Sequence, residues 1–318
     1  LNMYSEAYTL GKKSWQDKKM RILYASQRPP YPFFLGGAAR CAHILLHQMS
    51  GELDITCAAV GSRNYTVTPW SLPEPSEHSA LGIKSISSNG SGDVIDCGYP
   101  VHLLPDFSQA LNDFIDKFKP DIIWAQLEGA REVLELASAK NIQGLLYVHD
   151  AEFDPAELIA MADLGCHVVC SSGFLATKVR RAIGRDAHVI YPASELYFDT
   201  TGDISGTITM INPVRVKGVD TFFEIAKRLP SEKFLLLESW KLNNNALAEL
   251  KARLSEVPNV TFQQRVSDMR SVYAQTKLLL VPSMWEEGFG MVSIEAQSCR
   301  IPVIASARGG LPESVGDG

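Results

Sequence analysis

Glu287 and Glu295 stand with seven residues between them in the run Val281-Pro-Ser-Met-Trp-Glu-Glu-Gly-Phe-Gly-Met-Val-Ser-Ile-Glu-Ala-Gln297. Carboxylates accept hydrogen bonds, and a polyhydroxylated ligand offers many donors, so a pair of this kind suits such a ligand. Between them, Gly288 and Gly290 flank Phe289 and let backbone amides approach a bound group closely. A second informative pair, Lys217-Gly218, stands where a helical pattern begins, so an ammonium and unpaired N–H groups converge on one point as an anion site. Arg215, two positions earlier, is a candidate for a second positive charge. The chain has 36 acidic residues, so two glutamates at a fixed separation carry little weight without the string around them.

These residues need elements to position them. Lys277 to Val281 is a short apolar run that reads as a buried strand, and helical spacing resumes near Met291. The glutamates therefore straddle a strand-to-helix turn at the carboxyl edge of a sheet, where the opening helix adds free N–H donors and a positive dipole end. Thr207 to Ile211 reads as the strand before Lys217, and a helix through Phe222, Phe223 and Leu229 follows it. In the first half, Arg21 to Ser26 reads as a strand leading to Gly36 and Gly37, then to a helix through Leu45, Leu46 and Met49. That glycine pair does not match G-x-G-x-x-G, and a tight turn or a phosphate cradle both remain open for it. Gly144 to Val148 reads as a strand that delivers His149 and Asp150 to a sheet edge, and a neutral imidazole there is either structural or functional. Repeated strand-helix alternation in both halves predicts an α/β fold with parallel sheets.

Taken whole, Pro-Ser-x-Trp-Glu-Glu-Gly-Phe-Gly-x-x-x-x-Glu-Ala resembles the E-x7-E motif of retaining, nucleotide-sugar-dependent glycosyltransferases of family 4 (glycosyl transferases group 1). Lys217-Gly218 matches that family's K-G motif, and Gly309-Gly-Leu-Pro-Glu313 resembles its G-G-x-P-E turn. The resemblance implies the GT-B architecture, two Rossmann-like domains with parallel sheets facing a cleft. It assigns Lys217 to the donor diphosphate, Glu287 to sugar hydroxyls and Glu295 to ribose hydroxyls. His149 would reach the sugar and phosphate region, Gly36 and Gly37 would face the cleft, and the backbone at Arg265 and Val266 would run along the nucleobase. The catalytic candidates are thus His149, Lys217 and Glu287. The family's usual phosphate-binding arginine is missing: Asn212 occupies roughly its place, and Arg215 replaces it only at a different spacing. The implied reaction moves a sugar from a nucleotide-diphosphate sugar to a hydroxyl acceptor, with no cofactor and no metal. A nucleotide-sugar epimerase and a non-catalytic nucleotide-sugar-binding fragment are the alternatives.

Residues 1–19 read as a polar leader, 20–192 as an acceptor domain, 193–206 as a linker and 207–318 as a donor-binding domain. Relatives carry further helices beyond G-G-x-P-E, so truncation at the C-terminus is expected. Residues 61–91 are rich in Pro, Ser, Gly and Asn and read as an irregular excursion with short strands near Ile83 and Val94. A net charge of −6 argues against a nucleic-acid partner. No apolar run approaches the roughly 18 residues that span a bilayer. Six cysteines without metal-ligand spacing read as buried free thiols in a reducing, cytoplasmic setting. Lys178, Arg180, Arg181 and Arg185 form the basic cluster, read as a solvated helix face, with weak peripheral contact to anionic lipid as its alternative.

Overall fold

The computed structural model describes residues 19–33, 36–60, 76, 78–79, 82–89, 92–105, 107–266 and 268–316. Most of the leader, Phe34, Leu35 and much of the 61–91 excursion lie outside the described residues.

The chain alternates strand and helix as its pattern predicts. It runs β1 (Arg21–Ser26), α1 (Gly37–Met49), β2 (Asp54–Val60), β3 (Ser85–Asn89), β4 (Gly92–Asp96), β5 (Pro100–Leu104), α2 (Phe107–Phe118), β6 (Ile122–Ala125), α3 (Ala130–Ala139) and β7 (Gln143–Val148). Then follow α4 (Pro155–Asp163), β8 (His167–Cys170), α5 (Gly173–Ile183) and β9 (His188–Val189). The second half runs β10 (Thr207–Ile211), α6 (Val219–Arg228), β11 (Phe234–Leu237), α7 (Asn244–Glu256), β12 (Val260–Gln263) and α8 (Arg270–Tyr273). It continues through β13 (Thr276–Val281), α9 (Met291–Ser298), β14 (Val303–Ala305) and α10 (Leu311–Val315).

The strands form two sheets. The first has nine strands in the order β3-β4-β5-β2-β1-β6-β7-β8-β9. Its central pairs β5-β2, β2-β1, β1-β6 and β6-β7 are parallel, but β3, β4 and β5 pair antiparallel and add an edge the parallel-sheet expectation lacked. Short links explain the difference, because an antiparallel neighbour needs only a tight turn whereas a parallel one needs a crossover. The second sheet has five strands, β12-β11-β10-β13-β14, all parallel.

Contacts group the chain into two compact units. Of the described residues, one holds those up to 33 and those within 39–148 and 155–169; the other holds those within 36–38 and 149–154 and those from Cys170 onward. In the first, Leu23, Tyr24, Cys57, Leu111 and Ile123 are fully buried or nearly so, and Tyr24 meets Trp124 edge-on at 4.9 Å. In the second, Phe222 and Phe223 of α6 pack with Phe234, Leu236 and Leu280 of the sheet, with Phe222 and Phe234 edge-to-face at 5.3 Å. Burying each such ring contributes about 1.5–3 kcal/mol. Between β10 and β13 the buried hydroxyls of Thr209 and Thr276 satisfy each other at 2.8 Å, which lets two polar side chains sit inside a sheet. Side-chain caps fix helix starts: Ser172 accepts from Leu175 N before α5, and Asn243 from Ala246 N before α7. All six cysteines are buried and free. Among the described residues no helix is long and apolar enough to cross a membrane.

Candidate functional site

The order of the second sheet reverses between β10 and β13, and parallel sheets bind ligands beyond the carboxyl ends of strands at such a point. The two loops that leave there carry Lys217 and Glu287. After β10 the chain passes Asn212, at φ 64°, into a 3-10 turn at Arg215–Lys217 that closes on Gly218 at φ 87°. A Cβ on Gly218 would stand 2.0 Å from the Pro282 carbonyl oxygen, so the loops approach only because that residue has no side chain. The Met284 and Trp285 N–H groups both donate to Val216 O, at 2.9 and 3.3 Å.

This clamp brings together two residues 70 positions apart. Lys217 Nζ donates to both carboxylate oxygens of Glu287, at 2.7 and 2.8 Å, and the Ser283 hydroxyl donates to Oε1 at 2.5 Å. The two charged side chains are only 14% and 10% exposed. Two indoles border the ammonium, with Nζ 4.9 Å from the Trp240 ring centroid and 4.5 Å from that of Trp285. Burial pulls the Lys217 pKa below the ordinary lysine value, while Glu287 and then Asp150 act in the opposite direction. An ammonium held in a poorly solvated place attracts a further anion more strongly than one in water.

Gly288 lies against the backbone of His149: a Cβ on that glycine would stand 1.8 Å from His149 O. Desolvation pushes the His149 imidazole down to about 3, so the ring is neutral near pH 7. Phe289 is buried, with its ring 5.3 Å from that of Tyr191. Gly290 is the N-cap of α9, and Gly37, next to Gly36, begins α1 with its Cβ position 3.1 Å from Met291 Sδ. Glu295 is 5% exposed, and its oxygens accept from Ser194 Oγ at 2.9 Å and Tyr273 OH at 2.8 Å. Burial, and then Glu295, pushes the Tyr273 hydroxyl well above its ordinary value.

Arg215 does not join this group. Its side chain is 75% exposed and pairs with Glu249 at 3.0 Å. Arg265 is exposed, while Val266 packs against the buried cluster of Leu235, Leu237 and Val272. In the basic cluster, Lys178 donates to Glu286 at 2.6 Å and Arg180 pairs with Asp186 at 3.1 Å.

Several partners escaped the sequence reading. Ser283 carried a local hint, lying in the same strand-to-helix turn four residues before Glu287. Trp240, Ser194 and Tyr273 carried none, because each reaches its partner across a long chain separation. Glu313 lay inside the G-G-x-P-E run without an assigned partner. Its carboxylate accepts from Gly173 N at 2.7 Å and Phe174 N at 2.6 Å, which places a negative charge on the N-terminus of α5. In the first sheet the order reverses between β1 and β6. Near β6 a cavity of about 420 Å³ is lined by Glu128, Arg131, Glu132, Glu157 and Met161 among others.

Residues 205–318 match the model of the glycosyl transferases group 1 family. D-inositol 3-phosphate glycosyltransferase of Mycobacteroides abscessus is 37% identical over 108 residues, covering 32% of this chain and 24% of that protein. The enzyme of the same description from Mycobacterium leprae is 32% identical over 123 residues, covering 37% of this chain and 28% of that protein. The matched stretch is thus about a quarter of the length of these relatives. Anabaena HepE in complex with UDP-glucose superposes over 92% of this chain and 82% of its own, with TM-score 0.67 and 17% identity. The catalytic domain of starch synthase IV from Arabidopsis thaliana, bound to ADP and acarbose, covers 95% of this chain and 85% of its own, with TM-score 0.72 and 13% identity. Residues 205–318 therefore carry the glycosyl transferases group 1 pattern, and the chain has the α/β, parallel-sheet fold of GT-B glycosyltransferases.

Proposed function

We propose that this protein is a retaining glycosyltransferase, moving a sugar from a nucleotide-diphosphate sugar to a hydroxyl acceptor. The observation that carries the reading is the desolvated Lys217–Glu287 pair at the point where the second sheet reverses its strand order. Breaking an anomeric C–O bond leaves extra negative charge on the diphosphate and oxocarbenium character on the sugar. Lys217 Nζ and the amides around Gly288 and Gly290 meet the first change, and the Glu287 carboxylate binds sugar hydroxyls. In this reading Glu295 takes the ribose hydroxyls by exchanging one of its present partners, Ser194 or Tyr273. His149, neutral at physiological pH, orients the sugar and phosphate region. The leaving phosphate accepts the acceptor's proton on the same face, which preserves the anomeric configuration without a metal. Arg265 and Val266 follow the nucleobase.

HepE with UDP-glucose and starch synthase IV with ADP share this fold, which supports a nucleotide donor. The test is a thermal-shift screen of nucleotide sugars, followed by product analysis with hydroxyl acceptors. A donor at 100 times its dissociation constant adds about 2.7 kcal/mol of stability. Lys217→Ala is expected to weaken its binding by about 1–3 kcal/mol, by loss of a charge-assisted hydrogen bond. Wild-type affinity in that variant, measured by calorimetry, refutes the site.

A further inference from the structure

Lys217 has more neighbours than an anion site requires. The ammonium stands over the corner made by two indoles in a T-shaped pair, their centroids 5.9 Å apart at 69°, and the residue that supplies one of them, Trp240, is 38% exposed. Trp240 belongs to the loop after β11, whereas Lys217 follows β10 and Trp285 follows β13. The two strands that flank β10 in the sheet therefore each send an indole to the ammonium that follows β10.

The Trp240 backbone is pinned rather than loose. Its N–H donates to Asn212 Oδ1 at 2.6 Å, and Asn212 holds a left-handed conformation that short polar side chains tolerate better than most. The second cation near this turn, Arg215, is directed to Glu249 on the surface. Of these two cations only Lys217 reaches Glu287. Its effect on an anion depends on being held in place and kept from water, since a free lysine side chain gives up about 2 kcal/mol of rotamer freedom on ordering.

We infer that Trp240 is a donor-positioning residue that acts through Lys217: with Trp285 it forms an aromatic corner that pre-orders the ammonium and shields it from water on one side for the diphosphate. The inference deepens the proposed function and rests on it. Asn212, standing roughly where the family resemblance leads one to look for an arginine, contributes by anchoring Trp240 instead of by charge.

A positioning role of this kind predicts non-additivity. Cation–π contacts of this geometry have modest strength, so Trp240→Ala is expected to weaken binding of UDP, ADP or GDP, whichever the wild type binds, by about five- to tenfold. Trp240→Phe keeps an aromatic face and is expected to restore most of the loss. In a Lys217→Met background, Trp240→Ala is expected to cost less than twofold more, because the group it positions is already gone. Binding of the corresponding nucleoside, which lacks the diphosphate, is expected to be unchanged by Trp240→Ala. Calorimetry of the wild type and these four variants with diphosphate and nucleoside is the experiment, with far-UV circular dichroism checking that each is folded. Wild-type affinity in Trp240→Ala, or an equal loss in both lysine backgrounds, overturns the inference while leaving the donor site standing. The second of these results would mean that Trp240 touches the ligand directly. A wild-type protein that binds none of the three diphosphates overturns the underlying functional reading, and the inference falls with it.

Discussion

At the scale of single residues, the site is a set of charges that solvent does not fully stabilise, and their costs are measurable. His149 has a pKa near 3 in the folded protein against about 6.5 in an unfolded chain. The folded state therefore binds fewer protons between those values, so the contribution of the neutral ring is complete above pH 6.5 and is lost as pH falls toward 3. Urea unfolding across that window is expected to show wild type losing up to about 4 kcal/mol more than His149→Gln; parallel pH profiles for the two proteins would contradict the assignment. The Lys217–Glu287 pair predicts a different pattern. Removing either partner alone strands a charge that is mostly out of water, so Lys217→Met or Glu287→Gln is expected to destabilise by about 2–4 kcal/mol. The double variant should recover more than half of that loss. Lys217 and Glu287 could be nominated from their motifs, but their direct bond could not, because nothing local fixes which of many carboxylates an ammonium 70 residues away will meet. Arg215 illustrates the converse: two positions from Lys217 on a tight 3-10 turn, its side chain meets Glu249.

At the scale of elements, two glycines decide whether the site forms. Gly218 combines φ 87° with a backbone carbonyl oxygen 2.0 Å from where a Cβ would be, and Gly288 has His149 O at 1.8 Å from the same position. Neither obstacle is the movable end of a side chain. Gly218→Ala is expected to cost about 2–3 kcal/mol from left-handed strain and displacement of the Pro282 loop. Gly288→Ala is expected to lose a similar amount from the clash alone. Alanine substitution at the open position Gly184, where φ is 69° and nothing lies within 4 Å, isolates the conformational share and should cost about 1 kcal/mol. Thermal melts of the three variants check that ranking. Most elements were legible because their periodicity is strong: Thr207–Ile211 and Phe107–Phe118 end where their patterns end, and Ser172 caps α5 as its residue type predicts. Two elements were not seen. Strand β5 opens with Pro100, which reads as a breaker but is tolerated at the first position of a strand. Helix α4 opens with Pro155 after an aspartate, a turn-like dipeptide, and its Ala-rich run has little amphipathic contrast to reveal a helix.

At the scale of the whole molecule, the two compact units give ligand binding a location. Lys217, Trp240, Trp285, Glu287 and Glu295 all belong to the second unit, as does His149, although it follows a strand of the first sheet. A ligand held by these residues stabilises the states in which that unit is closed. It adds nothing to the opening of strands whose residues do not contact it. Amide hydrogen exchange with a nucleoside diphosphate at 100 times its dissociation constant should therefore slow by up to about 100-fold in β10, β11, β13 and the first turn of α9. Amides in β1, β2 and β6 should keep their rates, because those strands are built and buried within the first unit. Equal slowing in both sheets would mean that the chain opens as one cooperative body, and the assignment of donor binding to a separable second unit would be wrong.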